Sequence, residues 1–181
     1  VPTAEIIRKA APNTFLTVGL VGDHVASDPE AIKAGLDAMM KGGDAVYTSG
    51  SYKRVQAMAD EWIPIVGHVG FVPYRMSWFG KRRAVGKTAQ EAKMVYDAVK
   101  NYEKAGAIGV EMEVVPHQVA TEIARRTRIL IISMGAGSGG GAQYLFACDI
   151  LGTHDGHYPR HSKTYRNLRE ELAKIQNERI A

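Results

Sequence analysis

Short apolar, β-rich runs alternate with stretches of helical periodicity along most of this chain. Strands are predicted at residues 15–21, 45–48, 65–69, 109–113 and 129–134, and helices at 29–40, 52–62, 88–105 and 119–126. The segment from Ser27 to Glu30, a capping residue followed by a proline, is a typical helix start. The alternation indicates βαβ units and a parallel sheet. The nearly continuous apolar strands are typical of a sheet covered on both faces.

Two architectures satisfy this pattern: an open, doubly wound sheet, or part of a closed (β/α)₈ barrel. A full barrel usually needs about 250 residues, whereas this chain has 181. Length therefore favours the open sheet at this point. In either case we expect one α/β domain over residues 1–181, with a polar C-terminal helix that begins near Tyr165.

Composition limits the classes of function. No apolar run approaches the roughly 20 residues of a membrane span, so no membrane association is expected. The single cysteine, Cys148, excludes an internal disulfide and suits a reducing compartment, which predicts a cytoplasmic protein. The net charge is +4, but the basic groups are not interleaved with aromatic residues. We therefore expect anionic small molecules as partners and no nucleic acid.

Polar residues stand at the ends of the predicted strands. Asp23 follows the first strand, Ser49 the second, His68 and Glu113 end the third and fourth, and Ser133 lies near the end of the fifth. The carboxyl ends of parallel strands share one rim, where ligands bind in α/β folds. The sequence thus predicts a polar site at this rim.

Each of these residues also has a purely structural interpretation. Asp23 could cap the next helix, His68 could be a satisfied core histidine, and Glu113 could belong to a structural ion pair. Glu111 lies two residues before Glu113 and points to the same side of its strand. An ionised carboxylate is costly to bury without a partner. Either glutamate could be the one paired with a buried cation.

Three further motifs are weaker. Residues 84–88 end like a phosphate-binding P-loop, but Lys81 stands where that motif needs glycine. The glycine-rich run 135–141 lacks dinucleotide-binding spacing and is expected to allow a tight turn or a close backbone approach. His154, His157 and His161 have loose metal-ligand spacing without cysteines, which disfavours a zinc site.

Five ordered segments resemble the ketopantoate hydroxymethyltransferase family. Residues 67–73 (GHVGFVP) are similar to its GHxGLTP motif, and residues 112–116 (MEVVP) to its LExVP motif. The other three are residues 133–137 (SMGAG), 149–152 (DILG) and 159–168, which resemble its GIGAG, DxLG and PxFxKxYxNL segments. The resemblance implies a TIM-type (β/α)₈ barrel that is incomplete at the N-terminus in this chain, because residues 1–13 resemble the helix before the family's third strand.

The resemblance also implies an activity. In the family, an enolisable 2-oxo acid chelates Mg²⁺, and its enolate attacks the one-carbon unit of 5,10-methylenetetrahydrofolate, which gives ketopantoate from 3-methyl-2-oxobutanoate. By position, Glu113 would be the base, Asp23 a metal ligand, and His68 and Ser49 substrate-binding residues. A homo-oligomer is implied as well.

The chain departs from the family pattern near the substrate and the metal. Tyr47 and Ser49 stand where the family's VKLEGG motif has a lysine and a glutamate. The DMPFGSY motif is represented only by residues 23–26, and a second metal-binding aspartate has no counterpart. Two alternatives therefore stay open: another carbon–carbon bond enzyme of lyase or aldolase type, acting on a different 2-oxo or 2-hydroxy acid, and a binding barrel without catalysis.

Overall fold

Eight α-helices, one 3₁₀ helix (Pro73–Arg75) and six strands lie in the part of the chain that the computed structural model describes, residues 2–20 and 25–180. The strands are β1 Thr17–Gly19, β2 Ala45–Tyr47, β3 Ile65–Gly70, β4 Gly109–Glu113, β5 Leu130–Met134 and β6 Ala142–Gln143. The helices are α1 Pro2–Ala10, α2 Asp28–Met40, α3 Tyr52–Asp60, α4 Met76–Phe79, α5 Ala89–Lys104, α6 His117–Arg125, α7 Ala147–Leu151 and α8 Leu168–Ile180.

All six strands are parallel and lie side by side in chain order, from β1 to β6. An open doubly wound sheet would reverse its strand order at a switch point. The unbroken order is that of consecutive βα units in a barrel. The expectation of an incomplete TIM-type barrel is therefore confirmed, and the open sheet favoured by length alone is wrong.

Alternate strand positions form the core on one face of the sheet. The residues Val18, Val46, Ile65, Val69, Val110, Met112 and Ile131 are buried and share one register-matched face. They pack against apolar side chains of the helices, among them Val55 of α3, Val99 of α5 and Ile123 of α6. The hydrophobic core lies between the sheet and this helix layer.

The opposite, concave face carries the polar residues. Register pairs place His68 beside Glu111 there, and Gly70 beside Glu113. Leu130 on the same face is 46% exposed, whereas Val66, Glu111 and Met134 on that face are buried. A half-barrel has helices outside only, because a barrel's interior is filled by side chains from its own strands.

Helix positions follow the predicted signals closely. Ser27 caps α2: its hydroxyl accepts from the Glu30 N–H at 3.4 Å, and its own N–H donates to the Glu30 carboxylate at 2.9 Å. The short strand β6 and the short helices α4 and α7 were not predicted, because elements of two to five residues are too short to show a period. Among the described helices, none is both long enough and apolar enough to cross a membrane.

Candidate active site

An imidazole and two carboxylates meet at the carboxyl ends of β3 and β4. The Nε2 atom of His68 lies 3.0 Å from Oε2 of Glu113 and 3.7 Å from Oε1 of Glu111. His68 and Glu111 are buried, and the Glu113 side chain is 14% exposed. The parallel register of the two strands produces this cluster, since it pairs His68 with Glu111 across the sheet.

Two glycines of β3 hold the strand in the position that the cluster needs. A Cβ atom at Gly67 would lie 2.6 Å from the ring of Tyr102, which packs against the helix side of the strand. Gly70 has φ +85°, and a Cβ atom there would collide with the carbonyl of Glu113. That carbonyl accepts the N–H of Phe71 at 2.8 Å. The end of β3 can therefore lie directly against the end of β4.

Tyr47, at the end of β2, completes the cluster. Its hydroxyl lies 2.6 Å from Nδ1 of His68, and the two rings are tilted by 41°. The imidazole is thus held at both nitrogens, by Tyr47 on one side and by Glu113 on the other. Sequence reasoning identified Tyr47 only as a substitution; the signal that could have shown the contact is its place at a strand end beside β3.

Burial dominates the electrostatics of the cluster. It raises the pKa of Glu111, and the charge of Glu113 raises it further, while His68 and Tyr47 oppose the shift. Burial also raises the pKa of Tyr47 well above its ordinary value, with added contributions from Glu111 and Glu113. The Tyr47 hydroxyl therefore keeps its proton at neutral pH and can either donate or accept a hydrogen bond.

His68 contacts Glu113 more closely than it contacts Glu111. The shorter distance from His68 is to Glu113, and Glu111 lies deeper and slightly farther away. Among the described residues, neither carboxylate forms an ion pair with a lysine or an arginine. Among the described residues, the imidazole of His68 is therefore the basic side chain that lies within 4 Å of both carboxylates.

The remaining predicted site residues are placed differently. Asp23, the predicted metal ligand, lies outside the described residues. Ser49 follows β2, where its backbone carbonyl accepts the Tyr74 hydroxyl at 2.6 Å and the Arg75 guanidinium at 2.7 Å. These contacts anchor the segment after β3 to the end of β2. A substrate contact by the Ser49 side chain stays a prediction.

Ser133 does not belong to the cluster, contrary to the expectation for its strand end. Its register partner is Met112 on the helix side of the sheet, and it is 1% exposed. Its hydroxyl accepts the Ala136 N–H at 3.1 Å, so it stabilises the turn after β5. In that turn Gly135 and Gly137 have positive φ, as expected for the glycine-rich run.

A second group of metal-ligating side chains lies at α7. Cys148, Asp149 and His154 place one ligand atom each within 4.8 Å of one another, as do His68, Glu111 and Glu113. His154 here meets Asp149, at 2.9 Å, rather than His157 or His161. Within the described ranges, His157 and His161 do not join His154 in a metal-ligating group.

The polar cluster of His68, Glu111 and Glu113 does not lie in the larger of two cavities. A cavity of about 390 Å³ lies between α5 and α6, lined among others by Tyr96, Val119 and Ile123. A smaller one of about 250 Å³ lies where the end of β3 meets α5 and includes His68 and Gly70 in its wall. The polar cluster itself is recognised by its converging groups.

Comparison with known proteins identifies relatives over nearly the whole chain. The family model described as ketopantoate hydroxymethyltransferase matches residues 1–178. The chain is 32% identical to a 3-methyl-2-oxobutanoate hydroxymethyltransferase of Geobacillus kaustophilus, over 92% of this chain and 61% of that protein. It is 32% identical to the protein of that name from Thermus thermophilus, over 94% of this chain and 69% of that protein.

The chain is shorter than these relatives, and spans about three fifths of the Geobacillus kaustophilus protein. A Burkholderia cenocepacia structure, provisionally described as a phosphonomutase, superposes with a TM-score of 0.66 at 13% identity, over 97% of this chain and 75% of that one. The carboxyl transferase domain of Rhizobium etli pyruvate carboxylase superposes with a TM-score of 0.51 at 16% identity, over 72% of this chain and 24% of that one. These two likenesses show the fold alone.

Proposed function

Because the chain belongs to the ketopantoate hydroxymethyltransferase family, we propose that it takes part in hydroxymethyl transfer from 5,10-methylenetetrahydrofolate to the enolate of 3-methyl-2-oxobutanoate, which gives ketopantoate. The observation that best supports this proposal is the contact of 3.0 Å between His68 and Glu113 at the end of the sheet where ligands bind. Proton removal from a carbon next to a carbonyl needs a positioned base, and this contact positions one.

Glu113 is the proposed base. Its Oε2 atom faces His68, and its Oε1 atom has no hydrogen-bond partner among the described residues. The free oxygen is therefore available to take the C3 proton of a 2-oxo acid. The electron pair of the broken C–H bond becomes the enolate, whose carbon then forms the new bond to the one-carbon unit. The two bonds from that unit to the folate nitrogens break, and water supplies the hydroxyl oxygen of the product. The two nitrogens regain their protons, one that Glu113 took from the substrate and one from the water, and tetrahydrofolate leaves.

His68 orients the base and is proposed to line the substrate together with Ser49. Its ring cannot turn freely, because one nitrogen faces Tyr47 and the other faces Glu113. A neutral imidazole that accepts from Tyr47 at Nδ1 donates from Nε2 to Glu113. This hydrogen bond holds the carboxylate in one orientation while leaving its second oxygen free.

A divalent metal ion such as Mg²⁺ is expected from the family, and the cluster offers donors for one. One ligand atom each of Glu111, Glu113 and His68 lies within 4.8 Å of the others, so these residues would hold the ion. A bound ion would take the place of the Nε2 proton that His68 otherwise donates to Glu113. When bound, such an ion would stabilise the negative charge that develops on the substrate oxygen as the proton leaves. Homo-oligomerisation, which the family resemblance implies, belongs to the proposal and can be measured by sedimentation.

The test of this function is proton exchange at C3 of 3-methyl-2-oxobutanoate in D₂O, followed by NMR, with and without methylenetetrahydrofolate. We expect exchange without the folate and ketopantoate formation with it. The Glu113→Gln variant should lose roughly 10²–10⁴-fold in exchange rate, the usual contribution of a general base. Glu122→Gln on the exposed surface of α6 is the matched control and should exchange normally. Equal rates for Glu113→Gln and the control would refute the assignment of the base.

A second candidate function is carbon–carbon bond chemistry on a different 2-oxo or 2-hydroxy acid. The observation that favours it is the contact between Tyr47 and His68, which puts a neutral phenol where the family motif has a lysine. A neutral group recognises a different substrate substituent from the one a cation would bind. Exchange measured over a panel of 2-oxo acids separates the two: preference for 3-methyl-2-oxobutanoate supports the first function, and preference for another acid supports the second.

A further inference from the structure

We infer that the cavity of about 250 Å³ between β3, α3 and α5 binds a small organic carboxylate, and that Arg75 recognises its carboxylate group. The wall of this cavity includes Val69 and Val95, core residues that lie between the sheet and α5. Glu111 and Glu113, on the concave face of the sheet, are not among the described residues of the wall. The inferred site is therefore a second ligand site, behind the strand that carries the proposed active site.

Arg75 brings a positive charge to this cavity. The residue is half-buried, and in the described part of the chain its guanidinium forms no ion pair with a carboxylate. One of its N–H groups donates to the backbone carbonyl of Ser49 at 2.7 Å. A guanidinium has several further N–H donors, and a partly buried charge is costly unless an opposite charge balances it. An anion in the cavity would supply that charge.

Neighbouring groups hold the Arg75 side chain in place. Its guanidinium lies 5.4 Å from the centre of the Tyr74 ring, and the Ser49 carbonyl accepts from both residues. Burial raises the pKa of Tyr102 to about 12, and the charge of Arg75 is near enough to oppose this rise. Tyr102 packs edge-on against Tyr52, which lines the cavity. Because the guanidinium is already ordered, a ligand does not have to order it on binding.

The rest of the wall indicates the size and polarity of the ligand. Aliphatic side chains form much of it, among them those of Val69, Val72, Val85, Val95 and Ala98. Met94, also in the wall, is 47% exposed, so the cavity opens to solvent beside it. Liquid water occupies about 30 Å³ per molecule, so the cavity suits a ligand of roughly eight non-hydrogen atoms. An aliphatic carboxylate of about five or six carbons fits this description, whereas inorganic phosphate has no apolar part.

The larger cavity, between α5 and α6, lacks an unpaired cation. Lys93 and Arg126 line it, but Lys93 lies 2.5 Å from the Asp97 carboxylate, and Arg126 lies 2.5 Å from that of Glu122. Both cations already have a counter-charge, and both are exposed to water, which weakens their attraction for an anion. We therefore expect a small carboxylate to bind beside Arg75, although the cavity there is smaller.

The test uses 3-methylbutanoate as the probe and the 181-residue chain in chelator-treated buffer, with affinity measured by titration calorimetry. The probe lacks the 2-oxo group with which a substrate would chelate a metal ion. We expect saturable binding that Arg75→Gln weakens roughly 10–100-fold, the usual effect of losing a hydrogen-bonded charge. Ala98→Leu should weaken binding as well, because the larger side chain fills the cavity and leaves Arg75 in place. Arg82→Gln, at an exposed position of the same connecting segment, is the matched control and should bind the probe normally.

Three results would overturn the inference. The first is no saturable binding by the wild-type chain, and the second is equal affinity of Arg75→Gln and Arg82→Gln for the probe. The third is binding that Ala98→Leu leaves intact and Glu113→Gln abolishes, which would place the probe on the concave face of the sheet. If Ala98→Leu does not fold, the neutral analogue 3-methylbutanamide decides: it should bind the wild-type chain at least tenfold more weakly than the carboxylate, and equal affinities would contradict recognition by Arg75.

Discussion

The Tyr47 hydroxyl lies 2.6 Å from Nδ1 of His68, although 21 residues of chain separate them. The same ring reaches Glu113, 45 residues further on, through its other nitrogen. Residues from three consecutive strands are thereby joined by one imidazole.

Substituting Tyr47 by phenylalanine should slow C3 exchange by roughly fivefold to tenfold, because one hydrogen bond contributes about 1 kcal/mol. The loss should appear in kcat rather than in KM, since Tyr47 acts by positioning His68 and through it Glu113. Steady-state kinetics and the exchange rate at C3 measure it. Tyr165→Phe, at an exposed tyrosine, is the control. A change in KM alone would instead mean that Tyr47 contacts the substrate.

Glu111→Gln should stabilise the metal-free protein at neutral pH. The pKa of Glu111 is raised by burial above its ordinary value of 4.5. A carboxyl with a raised pKa holds its proton more tightly in the folded state, so stability falls as pH rises from the ordinary pKa through the folded one. The glutamine side chain of the variant does not ionise, so the variant does not lose stability over this pH range. Thermal unfolding in chelator should show a higher Tm for the variant at pH 7 and no difference well below pH 4.5. A lower Tm for the variant at pH 7 would contradict the sign of this shift.

The change in stability caused by Glu91→Gln should depend on pH in the opposite sense to the change caused by Glu111→Gln. The Arg83 guanidinium at 2.6 Å, helped by the N–H groups of Gly86 and Lys87, lowers the pKa of Glu91 to about 2. A lowered pKa gives stability that is complete above the ordinary value of 4.5 and is lost as pH falls toward 2. The variant should therefore be less stable than wild type at pH 7, and the difference should shrink below pH 4.5.

Glu91 also matters for the site. It holds the segment before α5, whose Val85 N–H donates to the Val114 carbonyl just after Glu113. Hydrogen exchange of the Val85 amide should therefore accelerate in Glu91→Gln. Lys93→Gln, at an exposed position of the same helix, is the control, and similar acceleration in both variants would mean that α5 itself had loosened.

Gly67→Ala should destabilise the fold by about 1–3 kcal/mol, the usual cost of forcing extra atoms into a packed core. The new methyl group would lie 2.6 Å from the ring of Tyr102, which is 1% exposed. Gly19→Ala is a matched control on the concave side of β1, where nothing lies within 4 Å of the added atom. Urea denaturation measures both. Equal stabilities for the two variants would show that Tyr102 can move aside.

Local signals in the sequence predicted the bounds of most of the longer strands and helices. The bounds of β4 were predicted without error, and those of α5 to within one residue, because turn residues flank the strand and the sixteen-residue helix has a capping residue and a clear period. The placement of His68 and Glu113 at strand ends followed from the same signals. The side of the sheet that Ser133 faces could not be predicted from these signals. Its strand, β5, is apolar on both faces, so no alternation of polar and apolar residues shows which side chains face the helices.

The sequence by itself determined the βα order, the family, and which titratable residues stand at the ends of strands, because these follow from local periodicity and contiguous motifs. Only the tertiary structure decided that Tyr47 contacts His68, that His68 lies closer to Glu113 than to Glu111, and that His154 meets Asp149. The physical reason is that these contacts depend on strand register and side-chain direction. A shift of one residue in register turns a side chain to the other face of the sheet, and local sequence does not specify that shift when both faces are apolar.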